Sequence, residues 1–176
     1  SLSESVANGS VQQGSEAWVE MQNKINDVSL AIQDSTLSVI EFNNEIRQLK
    51  WDAFDEMQDS IAQVSDEADF LIDLLSNDKL FTKGGDMTDA GKATLGLYAQ
   101  NYNTYMLQAQ KYATELKSIQ ASLAADPSNQ TLIDRERQLI EAQREVISSA
   151  EDEKQAMIDL EAQGIQLQID AMQELI

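Results

Sequence analysis

The segment FTKGGDMTDAGKATLG, residues 81–96, contains the residue types that a phosphate-binding loop would need, including four of the chain's seven glycines. A P-loop has the form G-x-x-x-x-G-K-[ST], in which glycine amides cradle phosphate and the hydroxyl binds magnesium. Here five residues separate Gly85 from Gly91, and Ala93 follows Lys92 where a hydroxyl is required. We therefore predict a turn or hinge at Gly84 and Gly85, and no nucleotide or other cofactor.

Oxygen-bearing side chains around this turn raise the possibility of a calcium site, because calcium takes several oxygen ligands. The candidates are Asn77, Asp78, Asp86 and Asp89. Their spacing does not match the EF-hand loop, which has ligands at positions 1, 3 and 5 and a Glu at position 12. We expect no metal here, with Asp89 in the first turn of a helix and the other three in solvent.

Tyrosines and carboxylates are the remaining groups that could do chemistry. All four tyrosines, Tyr98, Tyr102, Tyr105 and Tyr112, fall in one predicted helix. They could stack on sugars or bind a partner, but their spacing on an apolar seam favours core packing with hydroxyls at its edge. Among 31 acidic residues, some carboxylates will fall about 5 to 10 Å apart, as in glycosidases, but a rod of helices offers no cleft. We expect no enzyme.

Composition excludes further classes of function. The chain has no His and no Cys, which excludes Ser-His-Asp triads, HExxH zinc sites and the Glu-x-x-His ligand sets of di-iron bundles. A net charge of -19 repels nucleic acid and anionic membranes. No apolar run reaches the length of about 18 residues that a transmembrane helix needs. We expect neither nucleic-acid contact nor a membrane span in this segment.

Apolar residues at alternating spacings of three and four begin after a polar, flexible lead-in, residues 1–14. This spacing is the seam of a left-handed coiled coil, and Ser35 is its one polar member. It predicts a coiled-coil interface formed by Trp18, Met21, Ile25, Val28, Ile32, Val39, Phe42, Ile46 and Leu49. The stripe continues through Met57, Ile61, Val64, Ala68, Leu71 and Leu75.

Three helices follow from these patterns. No Gly or Pro interrupts residues 15–76, which predicts one helix of about 93 Å. Thr88 is a plausible N-cap for a second helix, 88–124. The turn AADPSNQT, with Pro127, ends it and starts a third, 131–176. The third helix carries Ile133, Ile140 and Ile147 seven residues apart, with Leu132, Leu139 and Val146 beside them, and then Ile158, Ala162, Ile165, Ile169, Met172 and Ile176. The predicted fold is all-α, an elongated antiparallel three-helix coiled coil or bundle in which residues 15–176 are one helical domain.

Helix lengths predict an unpaired segment. A second helix of about 55 Å cannot cover a first helix of about 93 Å, which leaves the part before roughly Val39 with a seam and no partner. We therefore expect self-association into a homo-oligomer. The alternative is a break at Asp34-Ser35-Thr36, where capping residues cluster, which would fold the first helix into a hairpin.

Five runs carry a resemblance to a known family: FNNEIRQLKWDAFDEMQDSI (42–61), DEADFLIDLLSN (66–77), TDAGKATLGLYAQNYNTYM (88–106), DPSNQTLIDRERQLIE (126–141) and SSAEDEKQAM (148–157). They resemble a segment of long tail tape-measure proteins of phages and prophages of Gram-positive bacteria. Such proteins are helical polymers that fill the growing tail tube, set its length and leave ahead of the DNA.

The resemblance implies a structural, non-catalytic role in tail length determination and tail assembly. It implies tail-tube or other tail proteins as partners, and a location in the virion tail or, during assembly, in the host cytoplasm. The missing initiator Met and the apolar pattern still running at Ile176 predict a piece of a longer protein. The alternative function is a coiled-coil interaction module of a secreted, surface or pore-forming helical protein.

Overall fold

The computed structural model describes residues 16–175, apart from the side chains at positions 17, 18 and 21. It confirms the all-α prediction, with three helices in chain order: α1 is Glu16–Leu75, α2 is Asp89–Ala125 and α3 is Gln130–Glu174. Each helix begins and ends within two residues of the predicted bounds. The predicted lead-in, residues 1–14, lies outside the described residues.

Helix α1 continues through Asp34-Ser35-Thr36, so the alternative break is absent. The Thr36 hydroxyl donates to the carbonyl of Ile32 at 2.9 Å, and the Ser29 hydroxyl donates to that of Ile25 at 2.8 Å. A hydroxyl that bonds four residues back is satisfied inside the helix and caps nothing. The capping signal at these residues is therefore overridden by the continuous helix.

The chain divides into two compact units, up to Phe54 and from Asp55 onward. In the second unit, α1 and α2 are antiparallel. The Gln108 side-chain amide of α2 donates to the backbone carbonyl of Gln58 in α1, and the Asn101 amide of α2 donates to the Asp69 carboxylate in α1. These hydrogen bonds measure 3.1 and 2.7 Å. Residue numbers therefore rise along α1 as they fall along α2. The first unit is the N-terminal part of α1.

Helices α2 and α3 are antiparallel as well. The Gln143 amide donates to the carbonyl of Ala109 at 3.2 Å, and the Gln120 amide donates to the Glu136 carboxylate at 3.1 Å. The turn between these helices contains Pro127, and the Asn129 side chain caps α3 by accepting from the Leu132 amide. The second unit is therefore an antiparallel three-helix bundle.

The core of the bundle corrects the predicted stripe on α1. The positions of α1 that face the core are Gln58, Ile61, Ser65, Ala68, Ile72 and Leu75, again three and four apart. By contrast Val64 and Leu71 are exposed. The predicted stripe combined two neighbouring faces, because it skipped the polar residues Gln58 and Ser65, which occupy core positions seven apart.

Helix α3 needs the same correction. Leu132 and Leu139, which the sequence places beside the row of isoleucines, are buried together with Ala150 and Leu160, whereas most of the other apolar residues assigned to this helix are exposed. The exposed members are Ile140, Ile147, Ile158, Ala162, Ile165, Ile169 and Met172. Ile140, for example, follows the buried Leu139 by one position. One position turns the side chain by about 100° around the helix and so away from the core.

Candidate interaction surface

Most of the predicted interface side chains that the structure describes in the first unit are exposed. Six large apolar side chains are between 47% and 67% exposed: Ile25, Val28, Ile32, Val39, Phe42 and Leu49. Ile46 is half-buried. The side chains of Trp18 and Met21, assigned to the same interface, lie outside the described residues. We call the six exposed side chains the N-terminal face; its pairing with another helix stays a prediction.

The N-terminal face is a shallow apolar groove along one side of α1. Val28, Ala31, Ile32, Ser35, Thr36 and Val39 line its middle section. These residues offer no carboxylate, amine or imidazole, and the Thr36 hydroxyl is already bonded within the helix. The surface can therefore pack against apolar side chains, and its lining carries no acid-base or metal chemistry.

A second group of apolar residues lies outside the N-terminal face on the same helix. Leu30, Leu37 and Ile40 are each at least half exposed. Leu30 lies about 160° around the helix from Ile32. These residues were not predicted from the sequence, although the seven-residue spacing of Leu30 and Leu37 is a signal that could have found them. A helix with apolar residues on two sides is typical of one enclosed by more than one neighbour.

The end of the first unit carries one specific aromatic contact. The guanidinium of Arg47 lies 5.3 Å from the centroid of the Trp51 ring, within the range of a cation–π interaction. Trp51 is buried. One helical turn apart, the two residues form a local contact that holds the Arg47 side chain against α1.

The turn between α1 and α2 is a small hairpin, and its geometry differs from that of a phosphate loop. Phe81 and Met87 form an antiparallel bridge. Inside it, the Thr82 amide donates to the Asp86 carbonyl at 2.8 Å, and the Gly85 amide donates to the Thr82 carbonyl at 3.1 Å. Gly85 has a φ of 86°, a conformation that favours glycine. These internal bonds occupy amides that a phosphate would need.

This hairpin packs on α3. A Cβ atom on Gly85 would lie 2.6 Å from the backbone nitrogen of Gln168 and 2.7 Å from the carbonyl oxygen of Gly164. A Cβ atom on the other predicted turn glycine, Gly84, would meet only the Thr82 hydroxyl oxygen, at 3.9 Å. Gly164 was not predicted as a packing residue, although an isolated glycine inside a helical pattern signals close approach.

The start of α2 confirms the predicted N-cap. Thr88 accepts a hydrogen bond at its side-chain oxygen from the Gly91 amide at 3.1 Å, and Asp89 lies in the first turn.

Among the residues considered as calcium ligands, the Asn77 side-chain amide donates to the carbonyl of Leu74. Across residues 16–175, no three His, Cys, Asp or Glu side chains are placed to hold a metal ion. In the same range no helix is long and apolar enough to cross a membrane.

Three polar side chains, one from each helix, meet at the buried Asn101, with Asp69 exposed and Glu153 half-buried. Asn101 is fully buried, and its amide nitrogen donates to Asp69 at 2.7 Å and to Glu153 at 3.4 Å. Burial raises the pKa of Glu153; the Asn101 hydrogen bond opposes the change, and the Asp69 carboxylate adds to it. Oε2 of Glu153 is buried without a hydrogen-bond partner among the described residues. Two carboxylates therefore share one amide at this level of the bundle.

The four tyrosines of α2 are half-buried. Burial is the main cause that raises the pKa of Tyr98, Tyr105 and Tyr112, and nearby carboxylates add to it. This position agrees with packing at the edge of the core, where the ring is covered and the hydroxyl approaches water.

An ion pair links α1 and α3 in the second unit. Both terminal nitrogens of Arg135 donate to the carboxylate of Asp55, at 3.0 and 2.8 Å. Arg135 is 9% exposed. Arg137, two residues later on the same helix, is exposed. The paired geometry of Arg135 is typical of a structural contact between helices.

Compared with known proteins, the sequence matches no protein-family model and no curated protein, and the fold matches no solved structure.

Proposed function

We propose that this chain is a structural, non-catalytic segment of a phage tail tape-measure protein, acting in tail length determination and tail assembly. The observation that carries the proposal is α1, a 60-residue helix without a break. A continuous helix converts residue number into length at 1.5 Å per residue. The exposed N-terminal face adds a surface that suits other helices better than small molecules.

The roles of the polar side chains in the bundle support a non-catalytic function. Asp69 and Glu153 share the amide of Asn101, and Asp55 holds Arg135. Each group has a partner in its own bundle, so each is explained by packing and by helix-to-helix pairing. A catalytic carboxylate pair would instead line a cleft that a substrate can enter.

The proposal includes the partners and location that the resemblance implies. The chain would associate with copies of itself and with tail-tube or other tail proteins. It would lie in the phage tail, or in the host cytoplasm during assembly. Its net charge of -19 makes direct contact with nucleic acid unfavourable.

An in-frame deletion in the phage that encodes the chain tests the proposal. Removing residues 22–49, four heptads, keeps the phase of the seam and should shorten the tail by about 42 Å. A duplication of the same residues should lengthen the tail by the same amount, and electron microscopy of purified tails measures both. Viable phage whose tails keep their length in both variants would overturn the ruler function.

A second candidate, a coiled-coil interaction module of a secreted, surface or pore-forming protein, is favoured by the packed hairpin. The contact of Gly85 with Gly164 suits a bundle that stays folded, whereas a segment inside a narrow tube would be more extended. Genes for a tail tube or portal beside the coding gene would support the first candidate. Protein on the cell surface or in the medium, with no tail genes nearby, would support the second.

A further inference from the structure

We infer that the N-terminal face of α1 pairs with the same face of a second copy of the chain, in parallel and in register. The inference concerns a partner and an orientation, and it depends only on the first unit. The pairing can therefore be tested without assuming a role in phage tails.

The order of residue types along the face fits a two-stranded parallel coiled coil. In heptad notation Ile25, Ile32, Val39 and Ile46 occupy position a, and the residues three places later occupy position d. In parallel coiled coils, β-branched side chains at a favour two strands, whereas the e and g charges set the orientation. The d layers then place Val28, Ser35, Phe42 and Leu49 beside their own copies.

The charges on α1 favour an identical partner. The acidic residues Glu20, Asp27, Asp34 and Glu41 all fall at position c, seven residues apart and outside the contact surface. The flanking e and g positions in the middle of the face are uncharged: Ser29, Ala31, Thr36, Ser38 and Asn43. A second copy of this acidic chain can therefore approach without acid-to-acid repulsion at the contact, and a basic partner would find few acids there to pair with.

One charged pair sets the direction and the register. Glu45 is at position g and Lys50 at the next position e, and both are exposed. On their own helix they point about 140° apart. In a parallel, in-register pair, position g of one strand lies beside the next e of the other. Glu45 of each copy would then face Lys50 of the second copy, whereas in an antiparallel pair g faces g and e faces e.

Engineered cysteines test orientation and register in the full 176-residue chain, which has no cysteine of its own. Ser35→Cys and Leu49→Cys, made singly, should each give a disulfide-linked dimer on mild oxidation. Gln33→Cys lies on the opposite side of the helix and is the matched control, which should stay largely monomeric on denaturing gels. An antiparallel pair can bring a residue to its own equivalent at one level only, so cross-linking at just one of the two positions overturns the inference.

A charge-reversal cycle is independent of cysteine chemistry. Sedimentation equilibrium should give a dimer for the wild-type chain, and Glu45→Lys or Lys50→Glu should each raise the dimer Kd by about tenfold through new like-charge contacts. The double variant restores both pairs and should regain most of the wild-type affinity. Parallel self-pairing is overturned if the wild-type chain is monomeric at micromolar concentration. It is also overturned if the loss of dimer affinity in the double variant equals the two single losses added together.

Discussion

The ring of Phe81 lies directly against the backbone of Gly164, so that a Cβ atom on this glycine would come within 2.7 Å of the ring carbon Cε1. The ring belongs to the hairpin between α1 and α2, and the glycine to the C-terminal third of α3. The hairpin is therefore seated on the bundle through two glycines, Gly85 on one side and Gly164 on the other. A turn held in this way is part of the packed structure of the second unit.

Gly164→Ala should destabilise the chain by about 1 to 3 kcal/mol, the usual effect of excess volume in a packed site. The added methyl group forces the Phe81 ring to move, which lifts the hairpin from α3. Urea unfolding followed by circular dichroism measures the change. Gly96→Ala is the control, because a Cβ atom there meets nothing within 4 Å and alanine should stabilise α2 by about 0.5 to 1 kcal/mol. Equal stability of the two variants would contradict a seated hairpin.

Arg135→Ala should cost about 1 to 3 kcal/mol, since it removes two charge-assisted hydrogen bonds and a largely buried side chain. The half-exposed carboxylate of Asp55 recovers some hydration, which keeps the cost below that of a fully buried pair. The control is Arg137→Ala on the same helix, whose side chain is 73% exposed and lies 3.9 Å from Asp134. Its effect should stay under about 0.5 kcal/mol. Thermal unfolding of both variants, side by side, makes the comparison.

Glu153→Gln should make the chain more stable at neutral pH. The pKa of Glu153 in the folded state is raised above its ordinary value of 4.5, mainly by burial. Its protonated form therefore favours folding: this contribution is complete below pH 4.5 and is lost as pH rises through the folded-state pKa. The gain from the neutral glutamine should accordingly be largest at neutral pH and vanish towards pH 4.

Urea unfolding at several pH values measures this difference. Glu151→Gln removes an exposed carboxylate from the same helix and controls for the general relief of charge repulsion in an acidic chain. A gain for Glu153→Gln that equals the control, or that does not change between pH 4 and pH 7, would falsify the role assigned to burial.

The sequence predicted the helices better than their packing. Apolar spacing and the absence of Gly and Pro defined α1, and the Thr88 cap and Pro127 turn placed the boundaries of the other two. Which face is buried could not be derived in the same way, because Ser65 faces the core while Val64 beside it is exposed. That choice depends on the neighbouring helices, which a pattern within one helix does not contain.

The hairpin and its contacts escaped prediction for a related reason. Gly85 could be recognised as a turn residue from its type, but its contact with Gly164 joins residues 79 positions apart. Similarly, Arg135 and Arg137 look equivalent in the sequence, and only the bundle distinguishes the buried residue from the solvated one. The seam of the N-terminal face was easier to recognise, because it is long and regular; its pairing with a partner stays a prediction.

Gln58→Leu is the most direct test of the corrected core. Gln58 is buried, and neither its side-chain oxygen nor its nitrogen has a hydrogen-bond partner among the described residues. Leucine removes the cost of these unpaired groups and leaves the backbone carbonyl free to accept from Gln108. We expect a gain of about 1 to 3 kcal/mol in urea unfolding.

Gln63→Leu provides the matched change at an exposed position of the same helix, and it should alter stability by less than about 0.5 kcal/mol. The pair of variants separates the core face assigned by the structure from the stripe predicted by apolar type alone. If position 58 were on the solvent side, both leucines would add exposed apolar surface and neither would stabilise. A loss of stability confined to Gln58→Leu would instead show that its amide has a bound partner, such as a buried water, that leucine displaces.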